Sequence, residues 1–410
     1  TALPLDPLRI RAAFPAFDEP TLRDRAFFEN AGGSYPCRQF IEKLTDFYLE
    51  NKVQPYYPYP ASIRAGEMMD ESYLRMAAYL NVRPEEIHFG PSTTQNVYVL
   101  ANAMRPMWED GDEIVVSCQD HEANAGAWRR LGERGIRVRE WHVNRETGML
   151  ETEDLDNLLN DRTRMVAFPH CSNVIGYFNP VQKISEKAKK VGAVVAVDGV
   201  AAAPHGFPDL STLGADIYMF SLYKTYGPHL GLMYVKQALI EKMENQSHFF
   251  KKGITRNMIT PAGPDHAQIG AASGITDYFD TVYDHHFKGA VPAHKKNTAL
   301  AVLFREREQK LLSPLMDFLR SRDDVKIIGP DQSDHRAPTI SILPVKRTLD
   351  DVYAKLVDHK LMLGKGDFYA VRPLMDMAIA HPPGVIRISF LHYNTEEEIA
   401  QLIKGLKEAL

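Results

Sequence analysis

The chain has 410 residues, of which 44% are hydrophobic and 25% are charged. This length can bury two cores, and the composition is that of an ordinary globular protein, so we expect two domains. The formal net charge of −5 gives no general attraction to nucleic acid or to an anionic membrane, and we expect neither as a partner.

The cysteine count favours a reducing compartment. The three cysteines, Cys37, Cys118 and Cys171, include no C-x-x-C pair, so we expect no disulfide framework and no metal site, and we expect a cytoplasmic location. The longest small apolar stretch, residues 192–204, is interrupted by Asp198 and is too short to cross a bilayer. The first eight residues lack the basic and apolar segments of a secretory signal.

The first motif with chemical potential is residues 90–96, Gly-Pro-Ser-Thr-Thr-Gln-Asn. Ser92 and Gln95 have the spacing of a capping box, which predicts that a helix begins here. A Gly/Ser/Thr-rich turn entering a helix offers N–H groups, hydroxyls and the positive end of the helix dipole, which suits a phosphate. A plain helix cap would show the same pattern.

Two apolar runs, residues 113–117 and 165–168, predict buried strands that are each followed by polar side chains. His121 follows the first run and Asn173 follows the second. In α/β proteins, ligands bind at the carboxyl ends of such strands. His121 could stack on an aromatic ring or transfer protons there, although a lone loop histidine is more often structural.

The next two predicted strands, residues 193–197 and 217–220, lead into an acid and a lysine. Asp198 could accept a hydrogen bond from a cofactor ring nitrogen, and a metal ligand or helix cap would also fit. Lys224 lies just beyond a buried strand, where a lysine with a depressed pKa can attack carbonyl carbons. A lysine that extends to the surface is the alternative.

Amphipathic stretches between the strands, such as residues 180–191, indicate crossover helices, and a further strand is predicted at 230–235. This alternation predicts an α/β fold with a largely parallel sheet. After about residue 275 the pattern changes to a helix over 292–322, strands at 325–328, 339–343 and 385–390, and a helix from Thr395. We therefore place a large cofactor-binding domain at 16–275 and a smaller α+β domain at 1–15 with 276–410.

The strand ends together predict a cofactor. They would bring a histidine, an asparagine, an aspartate, a lysine and an anion-binding helix start to one edge of one sheet. Pyridoxal 5′-phosphate (PLP) needs an amine for its Schiff base, an acid for its pyridinium nitrogen, ring contacts and a phosphate cradle. We therefore predict that PLP is the cofactor and that Lys224 forms the Schiff base.

Eight motifs occur in an order typical of one family, at residues 27–34, 92–94, 120–124, 172–176, 198–205, 221–224, 226–228 and 387–395. Through them, nearly the whole chain resembles the class V aminotransferase superfamily of fold-type-I PLP enzymes, on the cysteine desulfurase-like branch. The resemblance implies a large domain with a mostly parallel, seven-stranded sheet. It also implies a homodimer with active sites at the interface.

The resemblance assigns roles to individual residues. Lys224 would bind PLP and move protons at the substrate's Cα within an external aldimine, Asp198 would pair with the pyridinium nitrogen, and His121 would stack on the ring. The remaining cofactor contacts would come from Asn173 at the phenolic oxygen, from Ser92, Thr93, Thr94 and Ser221 at the phosphate, from Tyr223, and from Thr260 toward the partner's phosphate. The substrate would be bound by Arg387, which would clamp its carboxylate, and by Asn30, Ala31, Arg64 and Arg372.

Three departures from the family pattern bear on the reaction. Residues 363–372 contain no cysteine, although persulfide-forming desulfurases carry their catalytic cysteine in this region. Tyr223 replaces the histidine that often precedes the Schiff-base lysine, and Ala201 replaces a frequent glutamine. Persulfide chemistry is therefore not expected.

The cofactor motifs leave the reaction open, because PLP weakens several bonds at Cα. Our leading hypothesis is a lyase reaction on an amino acid, in which Lys224 removes the Cα proton and a β-substituent, such as one linked through sulfur, leaves. Transamination is the main alternative. Racemisation and decarboxylation stay open by analogy with the fold, and a non-catalytic PLP-binding protein is the remaining alternative.

Two further hypotheses concern substrate contacts. The aromatic segment 55–60 with Arg64 would line the substrate site, although a surface loop or dimer contact fits the same residues. Lys365 and Arg372 would bind a second acidic group of the substrate.

Overall fold

The structure is a computed structural model that describes residues 3–410. These residues contain thirteen strands in three sheets. The strands are β1 (Ala26–Phe27), β2 (Ile87–Gly90), β3 (Glu113–Ser117), β4 (Arg137–Trp141), β5 (Thr163–Pro169), β6 (Val194–Asp198), β7 (Ile217–Ser221), β8 (Gly231–Val235), β9 (Val325–Ile328), β10 (Thr339–Pro344), β11 (Leu361–Met362), β12 (Gly364–Gly366) and β13 (Val385–Ser389). The α-helices are α1 (Pro7–Ala12), α2 (Arg38–Glu50), α3 (Pro60–Leu80), α4 (Thr93–Met104), α5 (Gly126–Arg129), α6 (Leu155–Leu158), α7 (Val181–Lys190), α8 (Leu210–Leu213), α9 (Gln237–Ile240), α10 (Thr255–Met258), α11 (His266–His286), α12 (Ala293–Arg320), α13 (Leu349–Asp358), α14 (Val371–Asp376) and α15 (Glu396–Ala409).

The largest sheet has seven strands in the order β2-β8-β7-β6-β5-β3-β4. Strand β8 runs antiparallel to both of its neighbours, and all other neighbouring strands are parallel. Alternate residues of the central strands enter two different cores: Val166 and Phe168 pack on one face, and Met165 and Ala167 pack on the other. Burial of both faces explains the unbroken apolar runs. The predicted α/β class and the mostly parallel seven-stranded sheet are confirmed.

Strands β2 and β4 were not predicted, and both lie at the edges of this sheet. Strand β4 has the sequence Arg-Val-Arg-Glu-Trp, and of these residues Trp141 alone is buried. An edge strand can keep charged side chains in water, so it lacks the apolar run that identifies a central strand.

The second sheet is antiparallel, in the order β12-β13-β10-β9, and lies after the long helix α12. Its buried residues pack against α12, α13 and α15, with Ile340, Ile388, Leu315, Leu356 and Leu402 in one core. This arrangement is the predicted smaller α+β unit. None of the helices in residues 3–410 is both long and apolar enough to cross a membrane.

The predicted domain boundaries stay a prediction. Ala26 and Phe28 pack in the core of the second sheet, and β1 pairs in parallel with β11. Phe14 makes edge contacts with both Tyr226 and Tyr393, and so joins the two parts of the chain. Residues 1 and 2 of the predicted segment 1–15 lie outside the described residues.

Candidate active site

Four predicted site residues lie just beyond the carboxyl ends of parallel strands in the large sheet. Asp198 is the last residue of β6, and Lys224 ends a short 3₁₀ turn that follows β7. His121 begins a similar turn after β3, and Asn173 follows β5. Because β6 and β7 are adjacent and parallel, the acid and the lysine share one edge of the sheet.

Lys224 is nearly enclosed, with 9% of its surface exposed. Burial, aided by the positive charge of Arg387, lowers the pKa of Lys224 from 10.5 to about 8, while Asp198 and Glu29 oppose the shift. A useful fraction of the amine is then unprotonated near neutral pH, which an amine nucleophile requires. Its Nζ lies 5.6 Å from the ring centroid of Tyr223, which is stacked on His229.

Asp198 is a buried acid whose carboxylate accepts a hydrogen bond of 2.8 Å from the backbone N–H of Val200. Burial raises its pKa to about 6, although that hydrogen bond and the charge of Lys224 act in the other direction. A second buried acid, Asp120, has a pKa raised well above its usual range by burial and by the charge of Asp198. Its carboxylate accepts a hydrogen bond from Asn124 at 3.0 Å. Asp120 therefore lies close enough to Asp198 for their charges to interact, and the sequence identified Asp198 alone as a site residue.

His121 is a neutral, flat side chain in this structure. Burial and the charges of Lys224 and Arg387 lower its pKa to about 3. Its Nδ1 accepts a hydrogen bond of 3.0 Å from the N–H of Ala123, which places the ring proton on Nε2. The ring centroid lies 5.5 Å from that of Tyr369. The histidine can therefore contact an aromatic ligand without adding a positive charge.

The residues predicted to hold a phosphate lie at the start of α4 and the end of β7. Ser92 caps the helix and accepts a hydrogen bond of 3.1 Å from the N–H of Gln95, as the spacing indicates. The hydroxyls of Thr93 and Ser221 lie 2.9 Å apart, and both residues are buried. The cradle therefore combines a helix start with hydroxyl groups from two elements.

Two further residues shape this end of the site. A Cβ atom on Gly231 of β8 would lie 2.7 Å from the backbone nitrogen of Thr93, so the close approach of strand and helix requires glycine. Thr94 is exposed and lines a cavity of about 890 Å³ that Ser92 and Thr260 also line. Thr260 thus reaches the same cavity as the cradle within one chain.

Arg387, on β13, is buried and already has several partners. Its Nη2 donates to the carboxylate of Glu29, and its Nη1 donates to the backbone oxygen of Asn173 at 3.2 Å. The guanidinium also stacks over the ring of Phe368 at 3.8 Å from its centroid. Glu29 lies within the motif at residues 27–34, but no local pattern marked it as a partner of Arg387.

The loop that contains Phe368 covers this part of the site. Phe368 and Tyr369 have φ angles of 54° and 58°, so two consecutive aromatic residues adopt the left-handed conformation. The side-chain amide of Asn173 donates to the backbone oxygen of Phe368 at 3.1 Å, and the N–H of Glu122 donates to the backbone oxygen of Tyr369 at 2.7 Å. The Oδ1 atom of Asn173 is buried without a partner among residues 3–410, which leaves a polar atom for a ligand.

Asn30 and Ala31 line a small cavity together with Lys224, but their polar groups are occupied. The amide nitrogen of Asn30 donates to the backbone oxygens of Phe27 and Ser389, each at 3.1 Å. Its oxygen accepts from the hydroxyl of Tyr393. The N–H of Ala31 donates to the hydroxyl of Ser389 at 2.8 Å. In this structure both residues anchor the chain beside the lysine.

Two of the predicted substrate contacts, Arg64 and Lys365, do not line the cavities that Lys224 and His121 border. Arg64 is exposed and pairs with Glu67 at 3.8 Å, and the tyrosines of the 55–60 segment are largely exposed. Lys365 is exposed and pairs with Asp350. Strand register explains its position: Lys365 lies opposite Ile386, so it points to the other face of the sheet from Arg387.

Arg372 lines a cavity of about 360 Å³ beside the site, together with Thr94, His121 and Tyr369. Its Nη2 lies 3.4 Å from the carboxylate of Glu122. Arg372 therefore lines the same cavity as His121, whereas Lys365 does not.

The three cysteines are buried, and burial raises their pKa values to between about 11 and about 12. Within residues 3–410, none lines the two cavities that Lys224 and His121 border. Cys118, Glu140 and His142 bring their ligand atoms within 4.8 Å of one another. Arg129 pairs with Glu140, and its Nη2 lies 3.7 Å from the sulfur of Cys118. The positive charge in this cluster is therefore supplied by the Arg129 guanidinium.

Comparison with known proteins identifies related chains. The family model for aminotransferase class-V matches residues 26–256 and 298–402. The chain is 32% identical to the aminotransferase-like protein FGM3 of Gibberella zeae, covering 98% of both chains. It is 31% identical to a cysteine desulfurase of Enterobacter sp. (strain 638), covering 97% of both. The apo structure of a cysteine desulfurase from Thermococcus onnurineus NA1 shares the fold, with a TM-score of 0.84 at 22% identity, over 100% of this chain and 99% of that one.

Proposed function

The chain belongs to the aminotransferase class-V family of PLP-dependent enzymes, and from this premise we propose that it is an amino-acid lyase. In the proposed reaction the substrate loses its Cα proton and then a substituent on Cβ. The observation that carries the proposal is the buried Lys224 amine beside the carboxylate of Asp198, in a chain without a cysteine at residues 363–372.

The residues around Lys224 fit PLP. Lys224 would bind the aldehyde carbon, and Asp198 would face the ring nitrogen, where a buried carboxylate stabilises a positive charge. His121 would lie against the ring, and Asn173 would offer its free polar atom at the ring's oxygen. The phosphate would bind at the N-terminus of α4 and to nearby hydroxyl groups. Its contacts would be Ser92, Thr93, Thr94, Ser221 and Thr260, with Tyr223 beside them.

PLP, when bound, withdraws electrons from the substrate's Cα and acidifies its proton. Lys224 would take that proton on Nζ, because its lowered pKa keeps the amine available as a base near neutral pH. Arg387 would hold the substrate carboxylate and so fix the direction of the Cα–H bond. His121 and Tyr369 would limit the access of water from the side of the 360 Å³ cavity.

The absence of a cysteine in the loop supports elimination over persulfide formation. A persulfide requires a thiolate that reaches the substrate's sulfur, and burial keeps the pKa values of Cys37, Cys118 and Cys171 high. Elimination needs no such nucleophile: the Cβ–S bond breaks with its electron pair on sulfur, and a thiol leaves. Water then supplies the oxygen of the keto acid and releases ammonia.

A substrate screen with cysteine conjugates tests the proposal. We expect thiol, keto acid and ammonia in equal amounts, with the cofactor returned to its starting form. Conversion of the cofactor to its amine form, reversed by a keto acid, would instead establish transamination. A product that keeps its Cβ substituent would overturn the lyase proposal in favour of racemisation or decarboxylation.

The position of Arg372 extends the proposal to the substrate's side chain. We expect Arg372→Ala to raise the Michaelis constant about tenfold for amino acids that carry a second acidic group, with little change for neutral ones. Lys365→Ala is the matched control, because Lys365 lies on the other face of the small sheet and should affect neither class. Equal changes for acidic and neutral substrates in Arg372→Ala would remove Arg372 from side-chain recognition.

A further inference from the structure

The pair formed by Glu29 and Arg387 is not explained by the proposed roles. Arg387 is 3% exposed, and Glu29 is its ion-pair partner. Each of the two side chains leaves one hydrogen-bonding atom unused. Within the described chain, Nε of Arg387 and Oε2 of Glu29 are buried without a hydrogen-bond partner. An arginine and a carboxylate can form two parallel hydrogen bonds, so this one-bond contact leaves a donor edge of Arg387 available to another carboxylate.

The backbone holds Glu29 firmly in this place. The N–H of Phe28 donates to the oxygen of Met362 at 2.7 Å, and the N–H of Ser389 donates to the oxygen of Phe28 at 2.7 Å. Glu29 itself forms a parallel bridge with Ser389 on β13. The segment that carries Glu29 is therefore held by backbone hydrogen bonds to β11 and to β13, and this fixes Glu29 beside Arg387.

Two glycines leave the space that the Glu29 carboxylate occupies. Gly364 lies directly opposite Arg387 in the β12–β13 register, and a Cβ atom there would collide with the carboxylate. A Cβ atom on Gly32 would lie 2.7 Å from Oε1 of Glu29. The carboxylate thus fills a pocket in which neighbouring side chains are missing on two sides.

We propose that Glu29 is a specificity-determining residue that competes with ligand carboxylates for Arg387. A buried guanidinium needs a counter-charge, and Glu29 supplies it before substrate arrives. When a ligand carboxylate pairs with Arg387, it weakens the pair between Arg387 and Glu29. The net binding free energy is therefore only the difference between the two pairings. An amino acid has a second attachment through its amino group, whereas a simple carboxylic acid has none, so Glu29 would disfavour the simple acid.

This inference rests on the proposed function, because it takes Arg387 as the site of the substrate carboxylate. It adds that the Glu29 carboxylate lowers the affinity of Arg387 for other anions. It also identifies the class of ligand excluded: small carboxylic acids that lack an α-amino group and would otherwise occupy the clamp.

The test measures propionate binding to the PLP-loaded protein by calorimetry, without turnover. Glu29→Gln removes the competing charge and keeps the side-chain size, so we expect propionate to bind about tenfold more tightly than to the unaltered protein. In Glu29→Gln/Arg387→Met the gain should disappear. Asp350→Asn, which neutralises the acid of the exposed Lys365 pair, is the matched control and should leave propionate binding unchanged.

A thermal-melting measurement separates competition from a purely structural role. If Glu29 competes for Arg387, propionate should raise the melting temperature of Glu29→Gln more than that of the unaltered protein. Equal or weaker propionate binding by Glu29→Gln would overturn the inference. Should Glu29→Gln fail to fold, Glu29→Ala also removes the competing charge, and propionate affinity no higher than that of the unaltered protein would likewise overturn the inference.

Failure of PLP attachment at Lys224, on which both the proposed function and the carboxylate role of Arg387 rest, gives a different result. In that case borohydride leaves Lys224 unmodified in the unaltered protein, whatever residue stands at position 29. Covalent labelling of Lys224 combined with unchanged propionate affinity in Glu29→Gln would contradict the Glu29 inference alone.

Discussion

Replacing Lys224 with alanine is expected to lower turnover by at least about 10³-fold and to prevent covalent retention of PLP. The amine is both the attachment point and the base in the proposed reaction, and its lowered pKa of about 8 suits both tasks. Mass spectrometry after borohydride reduction measures covalent retention of PLP, and the rate of keto-acid formation measures turnover.

Two controls accompany the Lys224 variant. Lys236→Ala removes an exposed lysine that follows β8 and lies 3.7 Å from Asp216, and it should keep both properties. Lys224→Arg keeps the positive charge but cannot form the covalent bond, so it should match Lys224→Ala. A reduced adduct on another residue of the unaltered protein would contradict the assignment of Lys224.

Replacing Asp198 with asparagine is expected to lower turnover by about 10²-fold or more while PLP stays attached. Asparagine keeps the size of the side chain and its hydrogen bond with Val200, but it carries no charge to stabilise a protonated ring nitrogen. Turnover and the absorbance spectrum of the bound cofactor are the measurements.

Asp216→Asn is the matched control for Asp198→Asn. Asp216 directly precedes β7, at the amino ends of the strands and therefore far from the carboxyl ends that carry the site. Its carboxylate accepts a hydrogen bond of 2.9 Å from the backbone N–H of Val195. We expect full cofactor binding and near-normal turnover in this variant. Turnover that is equally reduced in both variants would show that Asp198 acts through stability alone.

The central strands and the residues at their ends could be predicted from sequence because both depend on local patterns. Strands β3 and β7 are buried throughout and mostly apolar, and Lys224 lies three residues after the end of β7. The edge strand β4 has no such run, because solvent accepts its charged residues. The position of Lys365 depended on the register of β12, a three-residue strand with no recognisable pattern.

The contacts of Arg387 were outside the reach of local patterns. Glu29 is 358 residues away along the chain, and nothing near either residue indicates the other. The left-handed conformation of Phe368 and Tyr369 could not be predicted from the sequence either, because glycine or asparagine normally occupies such positions. These features come from tertiary packing, which places the small sheet against the strand ends of the large one.

The lowered pKa of Lys224 also links cofactor capture to completion of the chain. The strands that carry Asp198 and Lys224 are synthesised early, whereas Arg387, whose charge helps to lower that pKa, lies on the last strand. A nascent or truncated chain without β13 would keep a more basic, better hydrated amine and would capture the aldehyde poorly. If Lys224 binds PLP as proposed, retention of PLP would therefore report, during biosynthesis or refolding, that the C-terminal strand has docked.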